Sequence, residues 1–248
     1  MAVLSFAFRH PPTMSSSPRI ARPGPAASRS PDAVPYVAGF LAYVGFLAVE
    51  GLLPLPQPLL YGLRVSVSSA VILAVARPLA SFRATRPFSS VLVGVTVFGL
   101  WVAPDLIFPG YRQHWLFQNA LTGKLSSSLE PGLRSSFWFL LLRAAGSALV
   151  VPVAEELFWR GWLLRWLIRP QFTSVPLGAF APGSFWLVAV LFASEHGPFW
   201  DVGLAAGIAY NWWMVRAKSL PDLILAHGVT NACLAAYVIA AGQWSYWL

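Results

Sequence analysis

Charge is scarce in this chain, and acidic charge is scarcest. Only 10% of the 248 residues are Asp, Glu, Lys or Arg, against about 25% in ordinary soluble domains. With 57% hydrophobic residues and a mean hydropathy of +0.62, that balance excludes a soluble globular domain. Cysteine is nearly absent as well. Cys233 stands alone, which excludes an internal disulfide, and its apolar surroundings make it a small packing residue. Acids number nine against 17 basic residues, for a net charge of +8. The surplus does not point to a nucleic-acid partner: the basic residues fall in short loops and the N-terminal tail, with no aromatic-interleaved patch or motif among them.

Long apolar stretches are what the chain does have. Residues 1–33 are rich in Pro, Ser and Arg and read as a disordered tail. Met1–Phe8 is too short for a signal-peptide core, and Arg9 follows it where a basic residue should precede. Residues 34–248 then carry seven stretches near the ~20 residues a helix needs to cross a bilayer. They fall at about 34–53, 59–76, 88–107, 135–156, 184–200, 203–216 and 220–241. The expected fold is an all-α, polytopic bundle of about seven spans in contact with lipid. The fourth span should continue to Ile168, with a kink near Pro152, and Gly203 and Gly207 have the GxxxG spacing of closely packed helices. Many of the 12 Trp lie near span ends, as interfacial anchors do.

The loops orient the bundle. Arg9, Arg19, Arg22 and Arg29 lie in the tail, Arg77, Arg83 and Arg86 between the second and third spans, Arg165 and Arg169 after the fourth, and Arg216 and Lys218 after the sixth. Intervening segments are poorer in basic residues, the exception being 108–134 with Arg112, Lys124 and Arg134. Basic loops stay in the cytoplasm, so the N-terminus is expected there and the C-terminus across the membrane.

Against this background, a few polar residues stand out. Within VVPVAEELFWRGWLLRWLI (Val150–Ile168) lie Glu155, Glu156 and Arg160. Ionisable groups inside a membrane segment are costly and are kept for pairs, pathways or reactions. FASEH (Phe192–His196) and HGVTN (His227–Asn231) carry candidate partners on other spans. At 1.5 Å per residue, Glu155 lies ~20 Å from Arg169, His196 ~21 Å from Pro182 and His227 ~13 Å from Lys218, so the three can converge in one slab. Glu156 and Arg160 are four apart and share a helix face, as do Phe192 and His196, and His227 and Asn231. Glu155 is turned about 100° from Glu156; one acid can pair with Arg160 while the other faces a cavity, and spacing alone leaves open which does which. Each residue has a plainer explanation, such as a helix-packing hydrogen bond for His227 or an interfacial position for His196. Glu195 and Glu50 are placed near interfaces and outside the site. The residue types suit water activation by a carboxylate and a histidine, with His227 and Asn231 as oxyanion donors. Glu155, His196 and His227 also make a conceivable zinc triad.

The ordered set EExxxR (Glu155, Glu156, Arg160), FxxxH (Phe192, His196) and HxxxN (His227, Asn231) resembles the CAAX prenyl endopeptidase and bacteriocin-processing family of intramembrane proteases, over roughly 135–241. The resemblance implies that Glu155 is the general base, assisted by His196. It implies that His227 and Asn231 stabilise the oxyanion, and that Glu156 and Arg160 hold the site in place, with Phe192 as an apolar wall on the substrate side. It leaves zinc or a metal-free mechanism; the latter is preferred because Asn231 suits an oxyanion donor better than a zinc ligand. Trp-rich flanks through GQWSYW resemble a bacterial branch associated with exosortase sorting systems. That implies a bacterial inner membrane and a membrane-anchored protein or sorting tail as substrate, entering laterally or from the cytoplasmic face. A non-catalytic scaffold or immunity protein of the same fold, and a proton-coupled transporter, are the alternatives.

Overall fold

A computed structural model describes residues 33–75 and 83–247. The tail expected over 1–33 lies outside the described residues but for Ala33, and so does Arg77. The described chain is helical. It forms α1 (Val34–Glu50), α2 (Gln57–Val75), α3 (Pro87–Ile107), α4 (Phe137–Trp166), α5 (Pro182–Ser194), α6 (Trp200–Ala217) and α7 (Leu220–Ala241). No strand occurs among the described residues, only an isolated bridge between Asn119 and Gly123. Helices α2, α3, α4 and α7 are long and apolar enough to span a bilayer. The protein is an all-α membrane bundle.

Helix α7 is central. It packs against α3, α4 and α6, while the α1–α2 pair covers α4 from one side and α5 packs on α6 from the other. Small residues bring these backbones together. A Cβ on Gly94 of α3 would strike the carbonyl oxygen of Ala226 and come within 2.7 Å of Val229 Cβ. A Cβ on Gly207 of α6 would lie 3.1 Å from Ala189 O of α5, and one on Gly203 would lie 3.1 Å from the His196 ring. The GxxxG pair therefore serves close packing, here of α6 on α5.

Two spans differ from their sequence bounds. Helix α4 is one continuous helix in which Gly146–Val150 and Leu157–Leu163 wind as π-helix. The first wide turn leads directly into Pro152, whose ring and missing N–H disturb the regular hydrogen-bond ladder. The glutamates occupy the α-helical segment Val151–Glu156 between the two π stretches. Helix α5 is shorter than the span predicted there. It ends at Ser194, and His196 sits in the following turn, where Gly197 takes φ +51° to swing the chain into α6.

The loop between α3 and α4 caps that turn. Its Arg112, 3% exposed, donates to Pro198 O at 2.7 Å and to Asp201 Oδ1 at 2.5 Å, and its Nε donates to Asp105 Oδ2 at 3.2 Å. After α7, Tyr246 donates to Asp105 Oδ2 at 2.7 Å and the Trp247 carbonyl accepts from Ser128 N at 2.8 Å. Among the basic residues counted as loop charge, Arg165 proves to be buried: it turns back to donate to Gly161 O and Val175 O. Glu50, kept outside the site, pairs with Arg64 of α2 at 3.1 Å.

Candidate active site

The three motifs meet at a cavity of about 180 Å³ within the bundle. Glu155, Phe192, His196, His227 and Asn231 line it; Glu156 and Arg160 do not, and sit behind it. The 100° step between adjacent helical residues separates the two acids. Glu156 points into the core and is 0% exposed, as is Arg160. The Glu155 side chain keeps 18% exposure, facing the cavity.

Behind the wall, Arg160 Nη1 donates to both Glu156 oxygens at 3.0 and 3.1 Å, Nε donates to Asn211 Oδ1 at 2.8 Å, and Nη2 donates to Gly207 O at 3.3 Å. Asn211 in turn donates to Phe185 O at 2.8 Å. The guanidinium lies over the Phe192 ring, 4.6 Å from its centroid. This network ties α4, α5 and α6 together at the depth of the site. It meets the demand that buried charges be paired and hydrogen-bonded.

The histidines are oriented through Nδ1. His227 Nδ1 is 2.8 Å from Glu156 Oε1. That carboxylate already accepts from Arg160, so the proton of this bond sits on Nδ1. His196 Nδ1 is 2.7 Å from Phe192 O, a carbonyl that can only accept. In its neutral form each ring thus presents an unprotonated Nε2. His227 Nε2 is 4.0 Å from Glu155 Oε2. That separation is too long for a direct hydrogen bond and short enough for both atoms to hold one water. Glu155 Oε2 is buried and has no hydrogen-bond partner in the protein. The Asn231 amide donates to Ser147 O at 2.8 Å, which leaves one of its two N–H groups for a further acceptor.

Supporting residues that sequence reasoning missed complete the pocket. Tyr210 stacks on His227 with ring centroids 4.9 Å apart and donates to Thr230 Oγ1 at 2.8 Å. Thr230 has Gly94 O at 2.9 Å to donate to, so α3, α6 and α7 are joined beside the imidazole. Trp101 packs edge-on against His196 at 5.1 Å, and Tyr246 and Trp247 close the end of the cavity farthest from the basic loops. Asn211 was the most findable of these, being an amide inside an apolar span. Tyr210 and Trp101 carry no signal among so many aromatics.

The zinc reading requires Glu155, His196 and His227 to gather as ligands. Among the described residues no group of three or more His, Cys, Asp or Glu side chains is arranged to hold a metal ion. The three share the cavity wall, yet their placement does not fit a zinc site. The expected entry from the basic-loop side also fails. No residue of those loops lines the cavity, and Leu164, Trp213, Met214 and Leu223 are packed and buried at that end.

An all-α membrane bundle with a carboxylate, two histidines and an amide facing one internal cavity defines the class. A family model described as "Type II CAAX prenyl endopeptidase Rce1-like" matches residues 136–233, less than half of the chain but containing every motif residue. The match supports the CAAX prenyl endopeptidase and bacteriocin-processing family, a protease family. No curated protein and no solved structure matches the chain.

Proposed function

We propose that this protein is an intramembrane endopeptidase that hydrolyses a peptide bond by glutamate- and histidine-assisted water activation. The observation that carries the reading is the unpartnered Glu155 carboxylate oxygen 4.0 Å from the Nε2 edge of His227. Glu155 and His227 bind the attacking water between them. Glu155 takes its proton as general base, and the relation of Glu156 to His227 Nδ1 makes His227 able to carry a proton on Nε2. Once protonated, His227 Nε2 and the free Asn231 N–H donate to the oxyanion formed as water adds to the carbonyl. His196 presents a second Nε2 to the cavity, placed to return a proton to the leaving amine, and Phe192 forms the apolar wall against the substrate. Glu156 and Arg160 are positioning residues. No step is routed through a metal ion.

The substrate is a membrane-anchored protein or a sorting tail, and the Trp-rich flanks favour an exosortase-associated role in a bacterial inner membrane over cleavage of a CAAX box. The N-terminus is cytoplasmic, as the basic loops direct.

Purified, detergent-solubilised protein is to be incubated with a library of quenched membrane-tail peptides, beside Glu155→Ala and His227→Ala, each with and without a zinc chelator. Turnover abolished by both substitutions and unaffected by chelation is the expected result. Turnover that survives Glu155→Ala would sink the mechanism. Full cellular complementation by Glu155→Ala would replace it with a scaffold.

A further inference from the structure

The cavity has a direction. Its walls run from Glu155 and His227 at mid-depth through Ser147, Asn231 and Leu234 to Tyr246 and Trp247, which follow the end of α7. A second cavity of about 230 Å³ begins where the first ends, with Tyr246 lining both. Asp105, Tyr111, Arg112, Gln113, Gln243 and Ser245 give it a polar wall. Arg112 Nη2 is buried there with no partner in the protein. Toward the opposite end of the bundle there is no such opening: the Glu156–Arg160–Asn211 network and the packed side chains of Leu164, Met214 and Leu223 intervene.

Helix α5 supports the same direction. Its 13 residues rise only about 20 Å, less than the ~30 Å of a hydrocarbon core. The turn bearing His196 therefore lies below the membrane surface on the cavity's side. Irregular backbone at such depth is tolerated where protein buries it or a water-filled cavity adjoins it, and the polar vestibule adjoins this turn.

The sidedness comes from the loops. Arg83, Arg86, Arg169, Arg216 and Lys218 cluster just beyond helix ends on the closed face, which makes that face cytoplasmic. The cavity face has Arg112, Lys124 and Arg134, and of these Arg112 is locked between Asp105 and Asp201.

We infer that the substrate reaches Glu155 from the non-cytoplasmic side, as a segment of an exported, membrane-tethered protein whose polar flank lies in the vestibule beside Arg112 and Tyr246. This rests on the peptidase reading for the word substrate, while the direction of the opening does not. A prenylated tail presented by a cytoplasmic protein would meet the closed face.

Thiol accessibility tests the inference. The full-length protein, with Cys233→Ser as background, is expressed in a bacterial host carrying Ser147→Cys in the cavity, Ser245→Cys in the vestibule, or Lys218→Cys on the closed face. Right-side-out and inverted membrane vesicles are treated with a charged, membrane-impermeant maleimide. Ser147→Cys and Ser245→Cys are expected to label in right-side-out vesicles and Lys218→Cys only in inverted ones. Labelling of Ser147→Cys only in inverted vesicles, or in neither, overturns the inference. Peptide cleavage is read separately on the same membranes. The expected labelling without any Glu155-dependent cleavage leaves the opening in place and removes the peptidase; cleavage with the reversed labelling does the opposite.

Discussion

Removing Arg160 should unfold more of this protein than removing any loop arginine. The guanidinium is wholly buried and supplies donors to Glu156, Asn211 Oδ1 and Gly207 O at once. Arg160→Ala leaves the Glu156 carboxylate in the core with only His227 Nδ1 as a donor. Breaking one side of a buried ion pair typically costs about 3–5 kcal/mol, a large part of the ~5–15 kcal/mol that holds a domain together. Arg160→Lys keeps the charge and loses the planar fork, so it should fall between the variant and wild type. Glu156→Gln combined with Arg160→Met removes both charges and should recover part of the loss, since a buried pair exchanged for neutral side chains is often close to neutral. The assay is denaturation of the detergent-solubilised protein followed by tryptophan fluorescence, with gel filtration to verify the starting state. Stability of Arg160→Ala within about 0.5 kcal/mol of wild type, the range of an ordinary surface change, would refute the account of this network.

Other outcomes follow from single contacts. Glu155→Gln is isosteric and faces the cavity; it should lower turnover by about 10²–10⁴-fold with the unfolding transition unchanged, and a matching loss of stability would reassign Glu155 to packing. Gly94→Ala forces a methyl group against the Ala226 carbonyl and should destabilise by about 1–3 kcal/mol in the same denaturation assay, with no effect expected had α3 and α7 been free to part. Arg112→Ala strips Asp201 and Asp105 of their shared donor; hydrogen bonds to charged groups contribute about 1.5–3 kcal/mol, reduced here because both acids are partly exposed, and faster proteolysis of the loop over 108–134 should report it. Burial, then the bond to Asp105, pushes the Tyr246 hydroxyl above the usual tyrosine range. Its folded pKa being the higher one, its contribution is fully present below the ordinary value of about 10 and is lost as pH climbs through the folded value. The stability difference between wild type and Tyr246→Phe should thus hold from neutral pH up to that point, and a difference that shrinks near neutrality counts against the bond.

Why the site could be read from residues alone, and its surroundings could not, follows from the solvent. In hydrocarbon a charge is conspicuous, so Glu155, Glu156, Arg160 and the two histidines stood out and their helical intervals brought them to one depth. The same argument applied to Arg64, Arg143 and Asn211, polar residues inside predicted spans, and would have flagged them; Asn211 turns out to complete the Arg160 network. Division of labour between the adjacent glutamates needed only the helical step, but its sense depended on which face of α4 met α6 and α7. What periodicity could not carry is irregularity. The two π-helical stretches of α4 retain apolar runs indistinguishable from α-helix, and the early end of α5 at Ser194 leaves the hydropathy unbroken into Gly197–Phe199. Those irregularities decide where the cavity goes. Because α5 stops short, a polar loop must descend to cover its turn, and Arg112 is the residue that does so. The length of the 108–134 loop and its anomalous basic residues, which fitted poorly as loop charge, are explained by that covering task. A short helix, a buried loop arginine and a polar vestibule are then one structural solution to placing His196 inside the membrane while keeping a wet path to Glu155.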